Sequence, residues 1–244
     1  MNSLIKLHLY YLINRISLFL ILFFSLIVFI VLLYNSNFEM GYTVLDASRT
    51  EYALNYYQES ILIITLISIL FSVFLHLNAF SQQTNRFAFY IVDSKKAKLN
   101  YVVSKQIALM IINFIFILNQ FFLFLIIGEV LTPFFMDWNQ IFSLFWMVFI
   151  QASLFGLLQV YLMYLIHHIF TGIIPILLFW LIEAISSFDS LQTQKLFSTF
   201  QIVFPHISYI NNQYNLAHSM LYYIIVLCIF IVFEFALYLS KDIN

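Results

Sequence analysis

Few residues in this chain carry the types and spacing that chemistry needs. His167 and His168 are adjacent. On a helix such neighbours point about 100° apart, so they do not converge on one metal ion. There is no HExxH, and no GxSG, GxGD or adjacent Glu pair of the kind intramembrane proteases use. The four glycines are Gly41, Gly128, Gly156 and Gly172, and none opens a GxxxxGK[ST] loop. The chain therefore cannot cradle ATP in a P-loop. "MGYTV" at 40–44 shares the composition of a potassium filter but not its order. Single polar side chains inside apolar runs remain. Glu129, Glu183, Glu234 and His76 are candidates for a cavity lining or a proton relay, against which the three glutamates simply reach an interface or pair with a neighbour. Asn113, Asn119, Gln120, Gln151 and Gln159 either line a substrate path or hydrogen-bond between helices.

The elements that must position these groups follow from composition. The chain is 64% hydrophobic and 9% charged, with mean hydropathy +0.98. A soluble domain is nearer half apolar and a quarter charged. The excess falls in separate runs, which reads as an all-α polytopic membrane protein. Net charge is −1, so no bulk attraction to nucleic acid is implied. One cysteine, Cys228, allows no disulfide within the chain.

A spanning helix needs about 20 apolar residues, and backbone groups in lipid must bond internally. The runs are continuous rather than alternating, which excludes a β-barrel. Six spans are expected, at 16–34, 60–80, 106–128, 141–166, 169–185 and 220–239. They form one transmembrane domain over 1–244. The first run is too long for a signal peptide and has no small-x-small cleavage site, so it is expected to be retained.

Loop charge sets orientation. With the amino terminus inside, the inner segments hold Lys6, Arg15, Arg86, Lys95, Lys96, Lys98, Lys105 and Lys241, and the outer ones only Arg49 and Lys195. Eight cations against two put both termini in the cytoplasm. A Lys or Arg at the centre of a span costs about 2.5–3.5 kcal/mol, so the island at 85–105 anchors the second connection inside.

The connections differ in character. In residues 1–15, Asn2, Ser3, Lys6, Tyr10 and Asn14 form a polar stripe opposite Leu4, Ile5, Leu9, Tyr11 and Leu12. That predicts a helix lying flat in the inner interface. Residues 186–215 are half apolar but broken by Pro205, which suits short re-entrant or interfacial helices. Tyr34, Tyr56, Tyr57, Trp138 and Trp180 suit interfacial anchoring.

This layout resembles the membrane subunit of an ABC-2 type (type V) ABC exporter. That family has an amphipathic elbow helix before span 1, a coupling helix between spans 2 and 3, and re-entrant helices between spans 5 and 6. The local match is Ser94-Lys95 and Ser104-Lys105 in "QQTNRFAFYIVDSKKAKLNYVVSKQIALM"; "SQQTNR" departs from the family's acidic, Gly-Thr-containing start. "FSTFQIVFPHISYI" looks like the family's apolar segment leading to a Pro at the outer face. The Gly-poor, aromatic style also resembles transporters of low-GC Gram-positive bacteria, including exporters of phenol-soluble modulins.

The resemblance implies a subunit of the plasma membrane that dimerises with a second copy or a paralogue. A separate ABC ATPase subunit, holding ATP and Mg, would drive export of a hydrophobic or amphipathic substrate such as a peptide toxin. This chain would hold no cofactor or metal and would not be an enzyme. Arg86, Phe87, Phe89, Tyr90, Lys95, Lys96 and Lys98 would couple to the ATPase, and Asn113, Asn119, Gln151, Gln159 and Glu183 are candidates for the pathway or for interhelical bonds. The alternative is a non-transporting immunity or sensor protein that binds a peptide ligand or a kinase. An ion-coupled carrier is disfavoured by the lack of an inverted repeat and of a carboxylate central in any span.

Overall fold

The structure is a computed structural model. It describes residues 2–13, 15–40, 47–80, 94–131 and 138–166, with Ile174 and seven positions between 224 and 236. The described residues form five helices and no strand: α1 (Asn2–Leu12), α2 (Arg15–Met40), α3 (Ala47–Ala79), α4 (Lys95–Leu131) and α5 (Trp138–Ile166). Four of them contain stretches long and apolar enough to cross a membrane: Ser17–Ser36, Ser60–Ala79, Lys96–Val130 and Ile141–Met163. These overlap the first four expected spans. The fifth and sixth, and the segment between them, lie almost wholly outside the described residues.

Local sequence explains the boundaries. Leu, Ile and Phe dominate the interiors, and the breakers sit outside: Gly41 follows Met40, and Pro133 stands two residues after Leu131. Ser94 caps α4. Its Oγ accepts the Ala97 N–H at 3.2 Å, and its carbonyl accepts the Lys98 N–H at 2.9 Å. Between α1 and α2, the Ser17 hydroxyl donates to the Leu12 carbonyl and occupies a group the helix end leaves open.

Two helices outrun their expected spans. α3 has 33 residues and α4 has 37, about 50 and 55 Å at 1.5 Å per residue, against about 30 Å of hydrocarbon. Residues 95–105, read from sequence as part of a connection, are the first three turns of α4. No Gly or Pro lies between Lys95 and Gln106 to stop the helix at the membrane surface.

Aromatic and polar contacts fix the packing. Tyr56 meets Phe124, Phe71 meets Phe116, Ser72 meets Asn113 and Lys105 meets Phe80. As one number rises the other falls, so α3 and α4 are antiparallel. Phe114 with Phe149, and Phe121 with Phe145, make α4 and α5 antiparallel in turn. The spanning parts of α3 and α5 are 67% buried, whereas that of α2 is 22% buried. α3 and α5 are therefore the inner helices and α2 an outer one. Lipid is as apolar as Leu, so shape and polar bonds, rather than water exclusion, hold such a bundle together. The Phe71 and Phe116 rings stack at 3.9 Å, and Phe114 touches Phe145, Trp146 and Phe149.

Candidate functional site

Two regions carry the polar side chains. The first is the end of the bundle where α1, the end of α3 and the start of α4 meet. α1 is amphipathic, and Ser3, Lys6 and Tyr10 of its polar stripe are exposed. His8 and Leu12 are buried, and the His8 ring meets Tyr101 of α4 edge-on at 4.7 Å. Lys105, 2% exposed, holds its Nζ 4.4 Å above the Phe80 ring and 5.5 Å from the Tyr101 ring. Ring faces are negative, so they lower the cost of burying this ammonium. Burial, then the nearby Lys105 charge, lowers the His8 pKa from 6.5 to about 4, against a hydrogen bond with the Tyr101 backbone that raises it. His8 is therefore neutral at physiological pH, and its Nε2 has no hydrogen-bond partner among the described residues.

Among the described residues, cations concentrate at this end. Lys6, Arg15, Lys96, Lys98 and Lys105 all belong to it, while Arg49 lies in the first turn of α3, at the other end. Of the side chains expected to couple to an ATPase, Lys96 is exposed and Lys98 is 9% exposed. Lys95 is the first residue of α4. Arg86, Phe87, Phe89 and Tyr90 lie outside the described residues.

The second region is a polar seam inside the bundle. Gln106, Asn113 and Gln120 recur every seven residues along α4 and are all buried. Seven residues are nearly two turns, so the three stand on one stripe about 10.5 Å apart. Asn113 Nδ2 donates to Ser72 Oγ of α3 at 2.7 Å. His76, one turn along α3, has Nδ1 2.7 Å from the Ser72 backbone carbonyl. A carbonyl only accepts, so Nδ1 carries the proton. That leaves Nε2 as an acceptor. Gln120 Nε2 donates to Ser25 Oγ of α2 at 2.9 Å, and Asn119 Nδ2 donates to the same oxygen at 3.1 Å.

Gly156 of α5 closes the seam. A Cβ there would overlap the His76 ring and stand 2.6 Å from Ser72 Oγ. Glycine is what lets α5 approach α3 at this point. Gly128 does the same more mildly at the other end, where a Cβ would come 3.2 Å from the Tyr57 hydroxyl. Tyr56 and Tyr57 are buried there against Phe124. Tyr34 and Trp138, also at that end, are exposed, as interfacial anchors would be.

Of the candidates for the pathway or for interhelical bonds, Asn113 and Asn119 bond between helices, and Gln151 and Gln159 are buried in α5. Glu183 lies outside the described residues, and Glu129 is exposed near the end of α4. No cluster of His, Cys, Asp and Glu suited to a metal occurs among the described residues. Sequence reading missed Gln106, Ser72 and Ser25 as seam members and missed both glycine contacts. The seven-residue recurrence of amides was a usable signal. The serines carried none, because a helical serine satisfies itself equally well on its own backbone. Neither a protein-family model nor a curated protein matches the chain.

Proposed function

We propose that this chain is the membrane-spanning subunit of an ATP-driven ABC-2 type exporter. The observation that supports this most is the one-ended charge: α1, the end of α3 and the long cationic start of α4 make one basic platform. In this reading that end faces the cytoplasm, α1 is the elbow helix, and the coupling region 85–105 docks on a separate ATPase subunit that binds ATP and Mg. The chain contributes six spans and outer re-entrant helices to the pathway, and a second copy or a paralogue completes it. α4 runs unbroken from the platform through the bundle, so force applied at Lys95 reaches the seam at Gln106 and Asn113. An aromatic-rich interior suits an amphipathic peptide cargo.

The docking step has a direct test. Alanine at Phe87, Phe89 and Tyr90 together should leave membrane insertion intact and lower stimulation of the partner ATPase by at least tenfold. Normal binding and stimulation by that triple variant would overturn the coupling role.

A further inference from the structure

Lys6 and Arg15 are cations of the basic end that lie outside the coupling region. Both are exposed. Neither has an ion-pair partner among the described residues. The four described carboxylates, Glu39, Glu51, Glu59 and Glu129, all lie at the opposite end of the bundle. In the expected layout the basic side holds eight cations, and only Asp93, Glu234 and Asp242 stand against them. The chain therefore keeps positive charge at this end that its own acids do not neutralise.

Their height in the bilayer follows from α2 and α4. Arg15 directly precedes the apolar run at 16–34, and Lys105 directly precedes the run at 106–128. Both mark the edge of the hydrocarbon. The His8 ring rests on Tyr101, four residues before Lys105, which is about 6 Å outside that edge at 1.5 Å per residue. The polar layer of a bilayer is about 5–8 Å thick on each side. α1 thus meets α4 at the level of the lipid phosphates, and Lys6, two residues from His8, shares that level. His8 and Leu12 are buried, while Ser3, Lys6, Tyr10 and Ile13 are exposed within an arc of about 80° on the other side of α1. Lys96, nine residues before Lys105, stands about 14 Å outside the edge, past the lipid. On α2, Arg15, Leu18, Phe19 and Leu22 are all exposed and share one arc of about 100°. A cation at phosphate level therefore tops an apolar strip that runs down into the hydrocarbon.

We propose that Lys6 and Arg15 bind the phosphate of an anionic phospholipid in the leaflet around the basic end, with its acyl chains along Leu18, Phe19 and Leu22. The argument is complementarity in both charge and length. Two exposed cations lie at the phosphate level, and the apolar strip begins one turn below Arg15. A free phosphate ion would use the cations and leave the strip unused, so the arrangement selects a lipid. The exposed stripe of α1, a cation with Tyr10 and Ile13 beside it, has the mixed character of a surface at the membrane interface. Cations at this level gain from anionic lipid in proportion to their number. Lys95 and Lys96, farther out, stay free of lipid for a soluble partner.

The test is native mass spectrometry of the full-length chain in detergent, titrated with phosphatidylglycerol or with phosphatidylcholine. The first phosphatidylglycerol should bind more tightly than phosphatidylcholine. Lys6→Gln and Arg15→Gln should each weaken it about fivefold. Lys96→Gln, past the lipid, and Arg49→Gln, at the opposite end, should leave it unchanged. Equal affinity for the two lipids, or an equal loss with Lys96→Gln, would overturn the proposal. Lys6→Arg keeps the charge and should bind like the parent; a Lys6→Arg chain that melts like the parent but has lost the lipid would also overturn it. Soluble glycerol phosphate at the same concentration should not compete. Competition would show a free-anion site and no lipid site. Lipid binding is measured without an ATPase, so an ATPase that still co-purifies with variants that have lost the lipid confirms this site apart from the exporter reading. Loss of the ATPase instead of the lipid from Lys6→Gln and Arg15→Gln would assign both cations to a protein partner and sink the proposal.

Discussion

Gly156→Ala is the substitution whose effect the structure specifies most closely. A methyl at this position overlaps the His76 ring and lies 2.6 Å from Ser72 Oγ. The ring cannot turn aside cheaply, because Nδ1 is held by the Ser72 carbonyl at 2.7 Å and the Ser72 hydroxyl is engaged by Asn113 at 2.7 Å. Relief requires α3 and α5 to separate by roughly 1 Å, which thins dispersion contacts along both helices. Overpacking of this kind costs about 1–3 kcal/mol. For a chain of this length that is roughly 2–10 °C in melting temperature. The assay is thermal unfolding in mild detergent, followed by the retained monodisperse peak on size exclusion. The decisive comparison is the double variant. His76→Ala removes the ring that the methyl strikes, so adding it to Gly156→Ala should recover part of the loss, a coupling of about 1 kcal/mol or more. A neutral Gly156→Ala, or strictly additive losses, would refute the close approach of α5 to α3.

Two further predictions test the other contacts. Ser25→Ala removes the one acceptor shared by Asn119 and Gln120 and should lower the stability of the α2–α4 contact by about 1–2 kcal/mol; an unchanged melting temperature would contradict that bond. α1 should loosen in acid: docked His8 has its pKa lowered to about 4, by burial first and Lys105 second, while a released α1 regains the ordinary 6.5. The released state therefore binds more protons below pH 6.5, so docking is constant above 6.5 and weakens progressively from 6.5 down to 4. A spin label at Tyr10→Cys in the Cys228→Ser background should gain mobility over that window, and His8→Gln should abolish the change. The same profile in His8→Gln would rule His8 out.

Much of the helical layout was legible because lipid-spanning helices need long apolar runs, and such runs are visible in sequence. The apolar runs expected at 16–34, 60–80, 106–128 and 141–166 overlap the long apolar stretches of α2, α3, α4 and α5. The break between α1 and α2 was legible from the polar stripe and Arg15. The extension of α4 to Lys95 was not. Charge marks where lipid stops, but a helix stops only at a cap or a breaker, and here the cap is Ser94. Asn113 and Asn119 were legible as polar residues needing partners, but not the serines that supply them. Tertiary approach chooses among many serines, and the approach itself depends on Gly156. His8 was the least legible: its position in α1 marks it neither as polar stripe nor as apolar face, and only the docking of α1 on Tyr101 buries it.

In the exporter reading proposed above, an ATPase works through the basic end of this chain. The most direct measurement is affinity purification from native membranes in mild detergent, with mass spectrometry of the co-purifying proteins. A stoichiometric P-loop ATPase that cross-links to residues 85–105 is expected. A chain that purifies alone or with a sensor kinase, and confers no ATP-dependent transport in liposomes, would contradict it.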